Sequence, residues 1–303
     1  MSSRRNFIKN SGVALATVPL LKSNLSFLTK EKTVLGVQLY SVRDDMKNDP
    51  VGTLIKLKEM GYETVEHANY VNRKFYGFSA ADFRKILDDI GLTMPSGHTV
   101  FGKEHWDAGK KEFTDKWKHT VEDAAVMGQK FVISPWLDES LRKTSDDLKR
   151  YMGVFNKNGA LCKKSGMKFG YHNHHFEFAQ KLDGVKVYDI ILQNTDPNLV
   201  AQQLDIGNMY NGGGIAQEVL KQYPGRFELM HVKDEVEAQT PNNGEKFESS
   251  VLGVGIINTK EVIDLGRKIG NTQYFIIEQE SYQGKKPLDS MKEDYAIMKK
   301  WGY

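Results

Sequence analysis

Short apolar segments alternate with amphipathic segments along most of the chain. The apolar segments predict eight strands, TVLGVQLYS, TVEHA, LTMPSGHTV, KFVISPW, MKFGYHNH, LVAQQLDIGN, RFELMHVKD and QYFIIEQE. The intervening segments predict helices, such as SAADFRKILDDIG, which has a capping serine, apolar residues at helical spacing and a closing glycine. Eight strand–helix units predict an α/β fold in which residues 31–303 form one (β/α)8 TIM barrel.

A doubly wound open sheet is the alternative arrangement for alternating strands and helices. A dinucleotide-binding version of that sheet requires a G-x-G-x-x-G turn after its first strand. No such turn follows TVLGVQLYS in this chain. The barrel is therefore the favoured arrangement.

The first thirty residues do not follow the alternation. The segment SSRRNFIKNSGVALATVPLL has paired arginines followed by a modest apolar run, which is typical of an export signal and too short to span a bilayer. SRRNFIK resembles a twin-arginine signal, which exports proteins that are already folded. We expect residues 1–30 to direct export to the periplasm, and we expect no membrane span in the mature chain. A disordered basic tail is the alternative.

Charge and cysteine content limit the classes of binding partner and the covalent cross-links that the chain can have. The chain carries a formal net charge of +3, and residues 1–30 contain five basic and no acidic residues, so the remainder carries 3 − 5 = −2. This nearly neutral body has no basic stripe, and we expect no nucleic-acid partner. The single cysteine, Cys162, excludes an intramolecular disulfide. The oligomeric state stays open, a homo-oligomer included.

Polar residues end most of the predicted strands. In a barrel, the carboxyl ends of all strands converge on one mouth. The strand-end residues are, in chain order, Gln38; Glu66 and His67; His98; Trp136; His172, Asn173 and His174; Asp205 and Asn208; His231 and Lys233; Glu278 and Glu280. This arrangement predicts a polar site at the mouth.

The fifth to eighth strands each contribute a nitrogen or carboxylate donor to that mouth. These donors are His172, Asp205, His231 and Glu278. Two imidazoles and two carboxylates suit a divalent manganese, zinc, cobalt or iron ion better than calcium. Each residue also has a structural alternative: Asp205 can cap the following turn, and Glu278 can pair with a lysine.

Seven segments together resemble the sugar phosphate isomerase/epimerase family of xylose isomerase-like barrels. They are LGVQLYSVRD, GYETVEHANY, GYHNHHFEF, LDIGN, MHVKD, VLGVGIIN and FIIEQE. The resemblance implies a divalent metal in the mouth, a small carbohydrate substrate and proton transfer next to a carbonyl group. The family's metal ligands are Glu, Asp, His and Glu from successive strands, and Asp205, His231 and Glu278 match the last three.

The first ligand position departs from the family pattern, because many members have E-N-H where this chain has His172-Asn173-His174. His172 can still bind a metal, but it adds no negative charge, so the ion would be a stronger Lewis acid. Glu177 is the alternative source of a carboxylate there. We expect His174 to contact substrate or shuttle a proton, and His175 to face outward.

The resemblance also implies roles in proton transfer. Glu278 matches the family's base, the second acid or base is His174, Glu66 or Glu177, and Lys233 adds positive charge near a developing oxyanion. The remaining strand-end and loop residues are expected to bind substrate: Gln38, His98, Trp136, Glu177 and Asn208.

The sequence favours a metal-dependent isomerase or epimerase that acts through a metal-stabilised enediolate. The substrate is expected to be an unphosphorylated sugar or keto-sugar, because the protein is expected to be exported and has no clear phosphate-binding glycine loop. The alternative enzyme is a lyase or hydrolase that acts on 3-keto-glycosides with the same metal site. The alternative of another class is a carbohydrate-binding barrel without catalysis.

Overall fold

The computed structural model describes residues 33–242 and 245–303, and it leaves out the side chains of residues 240–242. The predicted export segment, residues 1–30, lies outside the described residues. Eight parallel strands close into a barrel in chain order, with the first paired to the eighth. The strands are β1 (Val34–Gln38), β2 (Thr64–His67), β3 (Thr93–His98), β4 (Phe131–Ser134), β5 (Lys168–His172), β6 (Val200–Asp205), β7 (Leu229–Val232) and β8 (Tyr274–Ile277). The predicted TIM barrel is confirmed.

Helices follow the strands and cover the outside of the barrel. The α-helices are Arg43–Asn48, Pro50–Met60, Ala80–Ile90, Asp115–Val126, Ser145–Lys163, Phe176–Ala179, Val187–Asn194, Ile206–Asn211, Ala216–Gln222, Thr259–Leu265 and Pro287–Trp301. Helix Ala80–Ile90 shows how local sequence sets the bounds. The Ser79 hydroxyl accepts the Asp82 amide at its start, and Gly91 takes the left-handed conformation at its end. None of the helices in the described ranges is long and apolar enough to cross a bilayer.

A β-hairpin stands over one side of the mouth. Its strands, Asp234–Asn242 and Glu245–Ser250, pair antiparallel in the connection that follows β7. Their sequences, DEVEAQTPN and EKFESS, are largely polar, so they carry little of the apolar signal that identified the barrel strands. The sequence did not predict this hairpin.

The barrel interior changes from apolar to polar along its axis. Its lower layers are a cluster of packed side chains: Val34, Phe131, Ile133, Ala201, Leu229, Tyr274 and Ile276. Side chains alternate along a strand, so residues two positions further on point into the same interior. Two positions after Ala201 and Leu229, Gln203 and His231 therefore point into the barrel, and both are fully buried. A packed apolar layer therefore closes the barrel beneath the polar residues at its mouth.

Candidate metal centre

Four donor side chains from the ends of β5 to β8 meet in the mouth. His172, Asp205, His231 and Glu278 each place one nitrogen or oxygen atom so that all four atoms lie within 4.8 Å of one another. All four side chains are buried. The structure thus brings together the four residues that the sequence predicted as metal ligands.

Asp205 uses its two carboxylate oxygens differently. Oδ1 accepts the amide of Asn208 at 2.7 Å and so caps helix Ile206–Asn211. Oδ2 takes no part in that cap: it lies 3.1 Å from Lys233 Nζ, and it faces His231 Nδ1 at 3.7 Å and His172 Nε2 at 3.8 Å. The capping role and the ligand role, which the sequence left as alternatives, are therefore compatible in one side chain.

A carboxylate behind His231 fixes the orientation of its ring. His231 Nε2 donates to Glu66 Oε1 at 2.6 Å, and the opposite nitrogen, Nδ1, faces Glu278 Oε2 at 2.8 Å. Burial opposes a charge on this ring, but the two flanking carboxylates raise the pKa of His231 well above its usual value. A cation, either a proton or a metal ion, is thus strongly favoured at Nδ1. A carboxylate that orients an imidazole in this way is common behind metal ligands.

An amide orients the second imidazole. His172 Nδ1 lies 3.1 Å from the side-chain oxygen Oε1 of Gln203, which also accepts from His98 Nε2 at 2.7 Å. Since that oxygen can only accept, His172 Nδ1 carries the proton and Nε2 keeps its lone pair. Burial and the neighbouring rings of His231 and His98 keep the pKa of His172 well below its usual value. The ring is therefore neutral, as a metal ligand must be.

These observations show that the donor set fits a divalent metal. His172 presents an unprotonated nitrogen, and His231 presents a nitrogen whose proton a metal ion can replace. One carboxylate oxygen from each of Asp205 and Glu278 lies close to these two nitrogens. Mixed nitrogen and carboxylate ligands favour a transition metal or zinc over calcium. His98 lies beside this set and forms a second group of three with His172 and His231.

Lys233 adds a buried positive charge to the same place. Its Nζ lies 3.1 Å from Asp205 Oδ2 and 2.9 Å from Glu278 Oε2, and it also pairs with Glu280. Burial opposes this charge, but the three carboxylates raise the pKa of Lys233 well above its usual value. The pairing of Glu278 with a lysine, which the sequence offered as an alternative, therefore exists inside the site.

A cavity of about 400 Å³ opens from these residues to solvent. His98, His172, His174, Asn208, Glu278 and Glu280 form its polar wall, and Tyr40, Ala68, Val100, Pro135 and Trp136 form the rest. Trp136 is 43% exposed and packs edge-on against His174, with 5.2 Å between ring centroids. The cavity is of the size that takes a small ligand.

Three residues that the sequence assigned to chemistry or substrate binding lie below or behind this cavity. Glu66 is fully buried, and it accepts from Gln38 Nε2 at 2.8 Å as well as from His231. Glu177 is also fully buried, and it accepts the Tyr171 hydroxyl and the His174 amide. Gln38, Glu66 and Glu177 do not line the mouth cavity. Their positions suit the orientation of other side chains, and direct roles in substrate chemistry stay predictions.

The pKa values of these two buried carboxyl groups are shifted in opposite directions. Burial alone would raise the pKa of Glu66, but the imidazoles of His98 and His231 and its hydrogen bonds lower it to about 2. Burial raises the pKa of Glu177 to about 7, because its hydrogen bonds only partly offset the loss of water. Glu66 is thus a fixed negative charge at neutral pH. Glu177 holds the loop of His174 in place.

Sequence reasoning missed two residues of the supporting network. Gln203 Nε2 donates to Glu66 Oε2 at 2.8 Å, and Ser96 donates to the same oxygen. Both precede a predicted strand-end residue by two positions, Asp205 and His98 respectively. The period of two along a strand places such residues on the same inward face, so this signal was present in the sequence.

Comparisons with known proteins agree with this fold. The inosose dehydratase of Clostridium perfringens is 35% identical over 110 residues, which are 36% of this chain and 35% of that relative. The chain thus spans about a third of the length of this curated relative. A solved sugar phosphate isomerase/epimerase from Parabacteroides distasonis is 26% identical, with a TM-score of 0.74 over 88% of this chain and 98% of that one.

A more distant structure shares the fold. The structure of the IOLI protein with a bound zinc atom has a TM-score of 0.67 at 15% identity, over 88% of this chain and 97% of that one. The family model described as xylose isomerase-like TIM barrel matches residues 54–301. The closed eight-stranded barrel and this match, which covers most of the sequence, show that the chain belongs to the xylose isomerase-like TIM barrel family.

Proposed function

We propose that this protein is a metal-dependent lyase that acts on a keto-sugar or keto-cyclitol. It removes the proton next to the ketone and expels the oxygen substituent one carbon further on. A manganese, zinc, cobalt or iron ion bound by His172, Asp205, His231 and Glu278 would polarise the ketone and stabilise the charge that develops on its oxygen.

One observation carries the choice of elimination over epimerisation. The carboxylates that line the mouth cavity, Glu278 and Glu280, both follow β8, whereas the β5 side presents the neutral imidazoles of His172 and His174. Epimerisation needs a second group that returns a proton to the opposite face of the same carbon. Elimination needs a base for that carbon and a proton donor for the leaving oxygen, which a one-sided arrangement can supply.

The chain's own residues can perform both proton transfers. Burial opposes the charge on Glu278, but Lys233 and His231 hold the pKa of this carboxyl well below its usual value, so it is ionised and able to accept the proton. His174 lines the same cavity, and burial lowers the pKa of its imidazole to about 4, so this ring is neutral and contacts substrate hydroxyl groups by hydrogen bonding. The Lys233 ammonium, 2.9 Å from Glu278 Oε2, gives the proton to the leaving oxygen. Before that transfer, its positive charge stabilises the negative charge that develops on oxygen.

The similarity to proteins named inosose dehydratase supports the same choice. A dehydratase expels water next to an activated carbon, which is an elimination. This favours the lyase, the alternative of the sequence analysis, over the isomerase or epimerase that the sequence favoured. The twin-arginine resemblance of residues 1–30 supports an exported enzyme and hence an unphosphorylated substrate.

The experiment that tests this proposal follows two events in one sample. Metal-loaded protein is incubated in deuterated water with an inosose or with a 3-keto-glycoside, and proton NMR records deuterium uptake and release of the substituent. We expect release together with an unsaturated ketone product. Deuterium uptake without release would favour an isomerase or epimerase, and neither event with any of these keto compounds would contradict the proposal.

A further inference from the structure

A second cavity, of about 330 Å³, lies between the mouth and the hairpin Asp234–Asn242/Glu245–Ser250. We call it the hairpin chamber. It shares His174, Asn208 and Glu280 with the mouth cavity, so the two cavities meet at these residues. Its other walls include Arg43, Asn211, Lys233, Glu235, Phe247 and Glu248. The proposed chemistry in the mouth leaves this chamber without a role.

Two buried polar atoms in the chamber wall have no hydrogen-bond partner among the described residues. They are Oε2 of Glu235, a residue that is only 3% exposed, and Nδ1 of His174. Burial raises the pKa of Glu235 to about 8, although Lys233 opposes this, so Glu235 is mostly protonated at neutral pH and can donate as well as accept. Buried polar groups are normally paired, so these two atoms suit a bound polar ligand.

The chamber is a fixed part of the fold, because its hairpin is held at several points. The Asn211 side chain accepts the Phe247 amide at 3.1 Å and donates to the Phe247 carbonyl at 3.3 Å. The Ser249 hydroxyl accepts the amides of Glu280 at 2.7 Å and Ser281 at 3.0 Å. The hairpin is thus tied both to helix Ile206–Asn211 and to the segment after β8.

We propose that the hairpin chamber binds the leaving group of the substrate, and that this group is a second sugar or a polyol. This inference rests on the proposed lyase function. The keto ring would lie in the mouth cavity, and the bond that breaks would lie where the cavities meet. There, Glu278 takes the proton from carbon, that electron pair forms the carbon–carbon double bond, and the carbon–oxygen bond breaks. The leaving oxygen takes the electron pair of that bond and a proton from the Lys233 ammonium, which lines the chamber.

The chemistry of the walls selects a hydroxylated leaving group. Glu235 and Glu248 offer carboxyl groups and Arg43 offers a guanidinium, all of which bond well to hydroxyl groups. Phe247 adds one aromatic face, which can pack against the apolar face of a sugar ring. An aryl leaving group would bury these polar atoms without partners. A leaving group as small as one water molecule would occupy only a small part of the chamber.

The test compares two substrates that differ in the leaving group alone, methyl 3-keto-β-glucoside and 3-keto-cellobiose. For the wild-type protein we expect kcat/KM to be at least about tenfold higher for 3-keto-cellobiose, because only its second ring reaches the chamber. Phe247→Ala and Glu235→Leu should each reduce this ratio to about twofold or less. Val254→Ala is the matched control, because Val254 is 69% exposed and lies outside the chamber.

A binding measurement keeps the inference testable if Phe247→Ala loosens the hairpin or if neither keto-sugar reacts. Saturation-transfer NMR with cellobiose, which cannot undergo this elimination, should show contact to both rings in the wild type and loss of contact to one ring in Glu235→Leu. Equal kcat/KM for the two keto-sugars would contradict the binding of the leaving group in the chamber, but it would not contradict the lyase proposal. If neither keto-sugar reacts, the NMR contacts alone decide whether the chamber binds a sugar, and the reaction with an inosose decides whether the lyase proposal stands.

Discussion

The two sides of the barrel mouth use strand-end polar residues for different purposes. On the β5–β8 side, His172, Asp205, His231 and Glu278 direct donor atoms at one point. On the β1–β3 side, Gln38, Glu66 and Ser96 form a buried hydrogen-bond network that ends on His231. One side supplies the donor atoms, and the other side orients one of them, His231.

This difference shows why a polar residue at a strand end is not by itself a substrate contact. Glu66 and Glu278 are both buried carboxylates that bond to His231, one to each ring nitrogen. Glu278 borders the mouth cavity and Glu66 does not. The depth of a side chain along the barrel axis therefore decides whether it can act on a ligand or only on another residue. Substitutions on the two sides should differ in kind as well as in size.

The largest effect is expected on the donor side, for Glu278→Gln. The amide loses both the negative charge of a ligand and the proton acceptor, so kcat should fall by roughly 10²- to 10⁴-fold. Steady-state rates with excess metal measure this, and calorimetry measures sugar binding in parallel. Unchanged sugar affinity with no turnover in either protein would instead support the carbohydrate-binding barrel.

An intermediate effect is expected on the orienting side, for Glu66→Gln. This change keeps the volume of the side chain but removes the charge that faces His231 Nε2, so metal affinity should weaken by about 10- to 100-fold. Competition against a chromogenic chelator measures it. Asp89→Asn, in an exposed ion pair with Lys85, is the control. If Glu66→Gln matches its control, the proposed division between the two sides is wrong.

Lys233→Met should act in the opposite direction on metal binding. The ammonium lies about 3 Å from two carboxylates that would hold the metal, and its removal relieves repulsion of the ion. We expect metal affinity to rise by about tenfold or more, while turnover falls because an oxyanion-stabilising charge is lost. Lys260→Met, in a surface ion pair with Asp264, should change neither value. Weaker metal binding in Lys233→Met would show that Lys233 mainly organises the carboxylates.

The smallest effect is expected at the rim, for Trp136→Ala. Trp136 borders the cavity, and its ring packs edge-on against the rings of His174 and Phe176. Loss of a partly exposed aromatic face should raise KM by about two- to tenfold with little change in kcat. A large fall in kcat would instead show that the ring holds His174 in a reactive position.

The sequence predicted the barrel and the four donors because both follow from local patterns. Apolar runs marked the strands, and each donor came directly after such a run. The sequence could not show the depth of Glu66 and Glu177, because their burial depends on Gln203, Ser96 and Tyr171 from other segments. It also could not show the hairpin chamber. The hairpin strands that form the chamber wall are largely polar in sequence. Only their hydrogen bonds to Asn211 and Ser281 in the folded structure show where they lie.

The central claim is that the mouth binds one divalent metal through donors from β5 to β8. The most direct test is elemental analysis of protein purified without chelator or nickel affinity resin, for the wild type and for His172→Ala. We predict near-stoichiometric manganese, zinc, cobalt or iron in the wild type and a large loss in His172→Ala. Wild-type protein that holds no metal, even after the ions are added back, would contradict the claim.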